Sequence, residues 1–417
     1  MNKNMTAEKS LDDYRAWPMF IISFLRLFCA GIFDRALQNY VYFHVGISES
    51  ILGFISSAGA IAYIFAPIFG QIITSKLGVR KAFVLSCCAS PILSGLQLLY
   101  FEPWFLITCY IFIGLSLGIF WPNCFNLLNT WQKVSSVEKS TKNFKVFNLS
   151  WNTGFILGLS VGFWWALTLS DYLAMIISWL LSLILIPFSL FIRNDSQTLS
   201  LSNEESILKE DSTSKESKNQ NGHSNSNTPL IIYPILFSWV SIFFLASSKA
   251  TFIFGYPVLL KSFNNPSYLT YLIQGSFQFA QLLGLTWTNS LKIYRRKLYS
   301  FFSISMVVII NFLIIVIGNI WYISIVVVTA GLFLGLIQGT AMKIMLDYGT
   351  AENTTKYSTM NEILVGMGFG ITPIIAGYVA EVNLYAIFGF MMFFGLFTLI
   401  FLIYLTRNIN SDKCILL

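Results

Sequence analysis

The chain has 417 residues, 55% of them hydrophobic and 11% charged. A soluble domain carries about 25% charged residues, so water cannot solvate this surface and a bilayer can. The net charge of +7 comes with two histidines and no long basic run, which argues against a nucleic-acid binder.

In chain order, the first sixteen residues are polar, and Arg26, Asp34 and Arg35 interrupt the first apolar run. That pattern makes a poor secretory signal peptide and reads as a retained first helix. A membrane span needs about 20 mostly apolar residues. Twelve stretches qualify: 17–43, 49–73, 81–101, 104–128, 145–168, 172–192, then 231–260, 267–290, 298–317, 319–346, 357–380 and 383–406. Between the two sets of six lies a stretch rich in Ser, Asn, Glu and Lys. It reads as a flexible cytoplasmic linker, 194–229, between an N-terminal bundle, 1–193, and a C-terminal bundle, 230–417. A phosphorylated segment is the other reading of that stretch. Five of the cysteines (Cys29, Cys87, Cys88, Cys109, Cys124) lie in or beside apolar runs and none forms a CxxC pair. No metal site, disulfide framework or cofactor is expected.

The cations set the expected orientation. With the N-terminus in the cytoplasm, all of the 26 lysines and arginines except Arg26, Arg35, Lys249 and Lys261 fall in cytoplasmic segments, as the positive-inside rule requires. Both termini are then cytoplasmic, and the cell membrane is the expected location. The two halves also repeat. A shift of 214 places Gly70 on Gly284, Thr74 on Thr288 and Lys81 on Arg295, and a shift of 217 places Gly114–Gly118 on Gly331–Gly335. Six plus six spans starting from one side imply a parallel repeat about an axis along the membrane normal.

The turn after span 2 reads Gly70-Gln71-Ile72-Ile73-Thr74-Ser75-Lys76-Leu77-Gly78-Val79-Arg80-Lys81. It resembles the signature turn of the major facilitator superfamily: Gly78, Arg80 and Lys81 match, and Ser75 or Thr74 stands where the family has Asp. Span 5 (Gly154, Gly158, Gly162) and span 11 (Gly366, Gly368, Gly370, Gly377) resemble the family's small-residue helices, where backbones approach closely. The resemblance covers essentially the whole chain, although Tyr110 stands near the position where the family's span 4 often has Arg. It implies an all-α membrane protein of two pseudo-symmetric six-helix bundles around a central cavity. It further implies alternating access by rocking of the halves, with Gly78, Arg80 and Lys81 gating the change.

Charged groups within a bilayer cost at least about 2.5 kcal/mol each and persist mainly facing protein or water. On span 1, Ser23, Arg26, Gly31, Asp34, Arg35 and Gln38 share about half the circumference, so that face is expected to look into a polar interior. Lys249 lies 214 residues after Arg35, at the equivalent place in the second half, and the resemblance puts spans 1 and 7 on the cavity. Two cations there could clamp a phosphate or carboxylate. The other reading is that Asp34 neutralises Arg35 and that Lys249 reaches a carbonyl or the interface. Asp34 and Glu362 are the candidate proton carriers, since a carboxyl group in a low-dielectric cavity can hold and release a proton near neutral pH. Salt-bridge or solvated roles are the alternatives. Gln274, Gln278 and Gln281 share a narrow arc of span 8 and suit a polar substrate or interhelical hydrogen bonds. Trp151 and Asn152 could extend the lining, with packing the favoured reading for each taken singly. Lys343 and Asp347, spaced i to i+4, read as a structural pair.

The expected function is a secondary active transporter for a small polar solute, with an anion the sharper form. A proton-coupled drug or sugar carrier is the alternative, and a membrane-embedded enzyme or receptor is remote, because His44 and His223 lack a catalytic context. The expected partners are the solute, a proton or counter-anion, and the lipid bilayer, with the chain acting as a monomer. The ending Cys414-Ile415-Leu416-Leu417 matches a prenylation box, although a twelve-span protein needs no lipid anchor.

Overall fold

Twelve membrane-length helices run antiparallel through the structure, a computed structural model that describes residues 16–133, 137–192, 234–292, 295–347 and 354–407. The inter-bundle stretch 194–229 and Cys414 lie outside the described residues, as do the side chains of Lys139 and Asp347. The helices are α1 (Trp17–Asn39), α2 (Glu49–Leu77), α3 (Val79–Leu99), α4 (Pro103–Lys133), α5 (Val137–Thr168) and α6 (Asp171–Leu190), then α7 (Ile235–Ser262), α8 (Leu269–Trp287), α9 (Arg296–Val316), α10 (Ile320–Asp347), α11 (Thr354–Val382) and α12 (Ala386–Thr406). A π-helical turn, Tyr40–Val45, extends α1. Among the described residues there is no strand.

Local chemistry sets the ends. Ser48 caps α2, its hydroxyl accepting from the Ile51 amide at 3.4 Å, and Ser170 caps α6 by accepting from the Leu173 amide at 3.2 Å. Such caps satisfy amide donors that a helix start leaves free. Gly78 ends α2 with φ of 80°, its amide bonding back to the Thr74 carbonyl at 2.8 Å. A side chain is strained at that φ, which accounts for a glycine between two long helices.

Nine helices are long and apolar enough to cross a membrane by length and composition among the described residues; α1, α5 and α8 fall outside that set. Of these, α1 carries the buried Ser23, Arg26, Arg35 and Asn39, and α8 the buried Thr270 and Gln281. The outer surface is apolar, with Phe393, Phe397 and Ile400 of α12 among its exposed side chains. An apolar surface of that extent is stable against lipid. The chain is a multi-pass integral membrane protein.

The internal repeat is visible as matching helix crossings. A Cβ on Gly70 would collide with the Gly118 carbonyl where α2 meets α4, and one on Gly284 would collide with the Leu332 carbonyl where α8 meets α10. Gly154 and Gly158 of α5 face the Phe24 and Phe28 carbonyls of α1, and Gly368 of α11 faces Ala246 of α7. Only a missing side chain permits that approach of two backbones.

The bundles meet along two seams. At the α2–α11 seam, Gly53 lies against Pro373, Gly377 against Glu49 and Ser50, and Gly370 against Ile61. At the α5–α8 seam, Gly162 lies against Tyr271, Gly275 against Leu159, and Phe163 against Tyr268 with ring centroids 5.8 Å apart. These contacts run from mid-depth to the face bearing the α1–α2 loop, termed the loop-1 face; the opposite one is the Gly78 face.

Candidate solute cavity

A cavity of about 190 Å³ lies between the bundles. Its wall takes residues from α1 (Asp34, Arg35, Gln38), α2 (Ser56), α5 (Phe155), α7 (Ile253, Phe254), α8 (Gln274) and α11 (Phe369, Pro373), three helices from each half. An engineered cavity of about 150 Å³ holds benzene, so this one suits a small molecule.

Arg35 is 4% exposed, and its Nε has no hydrogen-bond partner. It forms no ion pair among the described residues, even with its neighbour Asp34. Consecutive helical residues point about 100° apart and do not face each other. Asp34 accepts one long bond, from the Tyr110 hydroxyl at 3.4 Å. The Oε1 of Gln274 is buried without a partner. A buried polar group left unpaired costs roughly 1–3 kcal/mol, more for a charged one, so this wall carries unsatisfied recognition capacity. A smaller void of about 10 Å³, bounded by Arg35, Thr270 and Gln274, reaches toward the loop-1 face.

Lys249 does not line the cavity. It stands on α7 one helical turn from Ile253, on the same side of the helix, half-buried and without a hydrogen bond or ion pair among the described residues.

Several expected cavity residues lie elsewhere, for geometric reasons. Arg26 is nine residues from Arg35, which turns it about 180° around the helix. The two arginines occupy opposite edges of the polar arc on α1. Arg26 points into its own bundle, donating to the Ser86 carbonyl at 2.9 Å and to the Ser116 hydroxyl at 3.2 Å, with its guanidinium 4.3 Å from the centre of the Phe120 ring. Gln281 donates to Gln338 at 2.8 Å inside the second bundle, because α8 crosses α10 at that depth. Gln278 is half-buried and off the cavity wall. Trp151 donates to Asn148 at 3.3 Å and packs edge-on to Trp121, while Asn152 donates to the Asn148 carbonyl of its own helix. Glu362 accepts from the Tyr63 hydroxyl at 3.1 Å, across the α2–α11 seam. Arg80 donates to the Leu190 carbonyl at 3.2 Å, tying the Gly78 turn to the end of α6; Lys81 is exposed. Lys343 donates to the Thr288 carbonyl.

The sequence reading missed the polar hub at the loop-1 face. Asp171, 3% exposed, accepts from the Ser267 hydroxyl at 2.6 Å and the Tyr271 hydroxyl at 3.0 Å, and lies 3.7 Å from His44. Asn39 of α1 donates to the Thr270 hydroxyl at 2.8 Å and the Ser267 carbonyl at 3.1 Å. Lys261 donates to the Tyr42 carbonyl at 2.6 Å, and the Ser50 amide donates to Glu381 at 3.1 Å. Each of these bonds except the His44 contact joins one half to the other. The available signal was Ser170-Asp171, a helix-cap pair that places a carboxylate at a span end.

Two six-helix bundles with a shared polar cavity between them define a membrane transporter of small solutes. The family model of the Major Facilitator Superfamily matches residues 19–237 and 238–413, and the chain belongs to that family. A sequence search of the curated proteins returns no match. Among solved structures, the chain is similar to the nucleoside transporter NupG, at 15% identity and TM-score 0.70, covering 94% of this chain and 99% of that one. It is also similar to a POT family transporter in complex with 5-aminolevulinic acid, at 12% identity and TM-score 0.70, covering 95% of this chain and 96% of that one. Identities this low speak for the fold alone.

Proposed function

We propose that the protein is a secondary transporter that moves a small polar solute bearing an anionic group, by alternating access of the two bundles. The observation that carries this reading is Arg35, a buried guanidinium on the cavity wall with no hydrogen-bond acceptor among the described residues. An anion would supply the missing charge-assisted bonds. Gln38 and Gln274 offer amides beside it, and Lys249, one turn along α7, is a second cation on the approach. With both termini and the 194–229 stretch in the cytoplasm, the loop-1 face is external. The seam contacts and the hub at that face then belong to an outward-closed state, and the Gly78 turn with Arg80 takes part in closing the other side.

A second reading rests on Asp34, whose carboxyl lines the same cavity. It would carry a proton with the solute. Purified protein in liposomes tests both. Saturable uptake of small carboxylates or phosphate esters, lost in Arg35→Ala, supports the anion site. Uptake that Arg35→Ala leaves intact removes Arg35 from recognition, and no flux of any small anion by folded protein removes the reading. Uptake indifferent to an imposed proton gradient removes proton coupling.

A further inference from the structure

From the same cavity, and resting on the reading above, we infer that the solute is a zwitterion: its anionic end meets Arg35 and its cationic end meets Asp34. Among the described residues, these two are the only charged ones on the cavity wall, so the charge of the wall itself sums to zero, with Lys249 one turn from Ile253 and off the wall. Both border the cavity, and the protein gives them only partial compensation, with Tyr110 beside both and Asp171 beyond Arg35. Arg35 has no ion pair among the described residues, and Asp34 has one hydrogen bond, at the long distance of 3.4 Å. They sit at successive positions on α1, where side chains diverge instead of pairing. Two separate charged ends of one ligand can therefore be received at once.

A simple anion fits the same wall poorly. It would satisfy Arg35 but bring negative charge beside Asp34, in a site where removing charge from water is costly unless it is paired. Either Asp34 must take a proton or the anion is repelled. A zwitterion pairs both groups and adds no net charge. The remaining wall suits an aliphatic body between its ends, with Phe155, Phe254 and Phe369 contributed by α5, α7 and α11.

The test uses full-length protein in lipid nanodiscs and four ligands of one carbon length: 2-aminopentanoic acid, 5-aminopentanoic acid, pentanoic acid and pentylamine. Binding is measured by calorimetry. At least one amino acid is expected to bind tenfold or more tightly than both pentanoic acid and pentylamine. Asp34→Asn should bring that amino acid to within about threefold of pentanoic acid, by removing one charge-assisted contact, while pentanoic acid binds the variant at least as well as before. That retained binding also reports that the variant is folded. If pentanoic acid binds the unaltered protein as tightly as both amino acids, the zwitterion is overturned and the anion reading survives. If pentanoic acid binding takes up a proton that Asp34→Asn no longer takes up, the zwitterion is likewise overturned in favour of proton coupling. If none of the four binds to folded protein, both readings fail.

Discussion

Arg26 and Arg35 are the same residue type on one helix, buried to nearly the same degree at 3% and 4% exposure, and they do opposite things. Arg26 is enclosed by Ser86, Ser116 and the Phe120 ring within one bundle. Arg35 stands on a wall shared by both bundles and has no hydrogen-bond acceptor among the described residues. Burial alone does not separate a structural ion from the recognition site proposed for Arg35. The separation lies in whether the protein itself supplies the partners, since a buried charge persists only if something satisfies it.

Substitutions can sharpen or break that contrast. The largest effect is expected for Arg35→Ala on transport. Truncating one member of a buried charge-assisted pair costs about 2–5 kcal/mol, so kcat/KM for uptake should fall by at least about 30-fold, with thermal stability unchanged or raised. Arg26→Ala should do the reverse. Losing its bonds and ring contact should cost about 3 kcal/mol of stability, read as a lower unfolding midpoint in detergent. If Arg35→Ala unfolds the protein while Arg26→Ala leaves its stability intact, the contrast is void.

Smaller effects are expected at the seams. Asp171→Ala removes the acceptor shared by Ser267 and Tyr271. It should weaken closure of the loop-1 face by about 1–3 kcal/mol, lengthening the distance between spin labels at Val45 and Asn264 in a growing fraction of molecules. An unchanged distance distribution would show that backbone packing alone holds that face. Tyr63→Phe deletes one bond to Glu362 across the α2–α11 seam and should shift the same distribution least, by about 0.5–1.5 kcal/mol.

Much of the fold was legible because lipid imposes length and polarity on each span. The start of span 2 at residue 49 is read from its apolar run and holds, whereas its end, expected at 73, falls at Leu77 because the helix continues through polar residues to the Gly78 turn. The repeat read from the shifts of 214 and 217 has a structural counterpart: α2 meets α4 at Gly70 as α8 meets α10 at Gly284. The cavity was legible in part. Asp34, Arg35, Gln38 and Gln274 could be put on polar faces by periodicity, and they line one cavity. Periodicity gives an angle around a helix but not what stands opposite at each depth. Arg26 at the edge of the arc, and Gln281 where α8 leans on α10, therefore meet their own bundles. The loop-1 hub was illegible for a different reason: its bonds join Asn39 to Thr270 and Asp171 to Tyr271, partners far apart in sequence with no repeating spacing to betray them.

The cavity wall takes three helices from each half, and this limits how firmly a cargo can be gripped. A molecule touching both jaws is also a rivet between them. If the bundles alternate as proposed, any attraction that favours the state with both jaws engaged holds the molecule in that state, because a ligand biases an equilibrium by its differential affinity for the two states. The tightest binder of this site would therefore be an inhibitor that jams the hinge, and the best cargo one held only moderately.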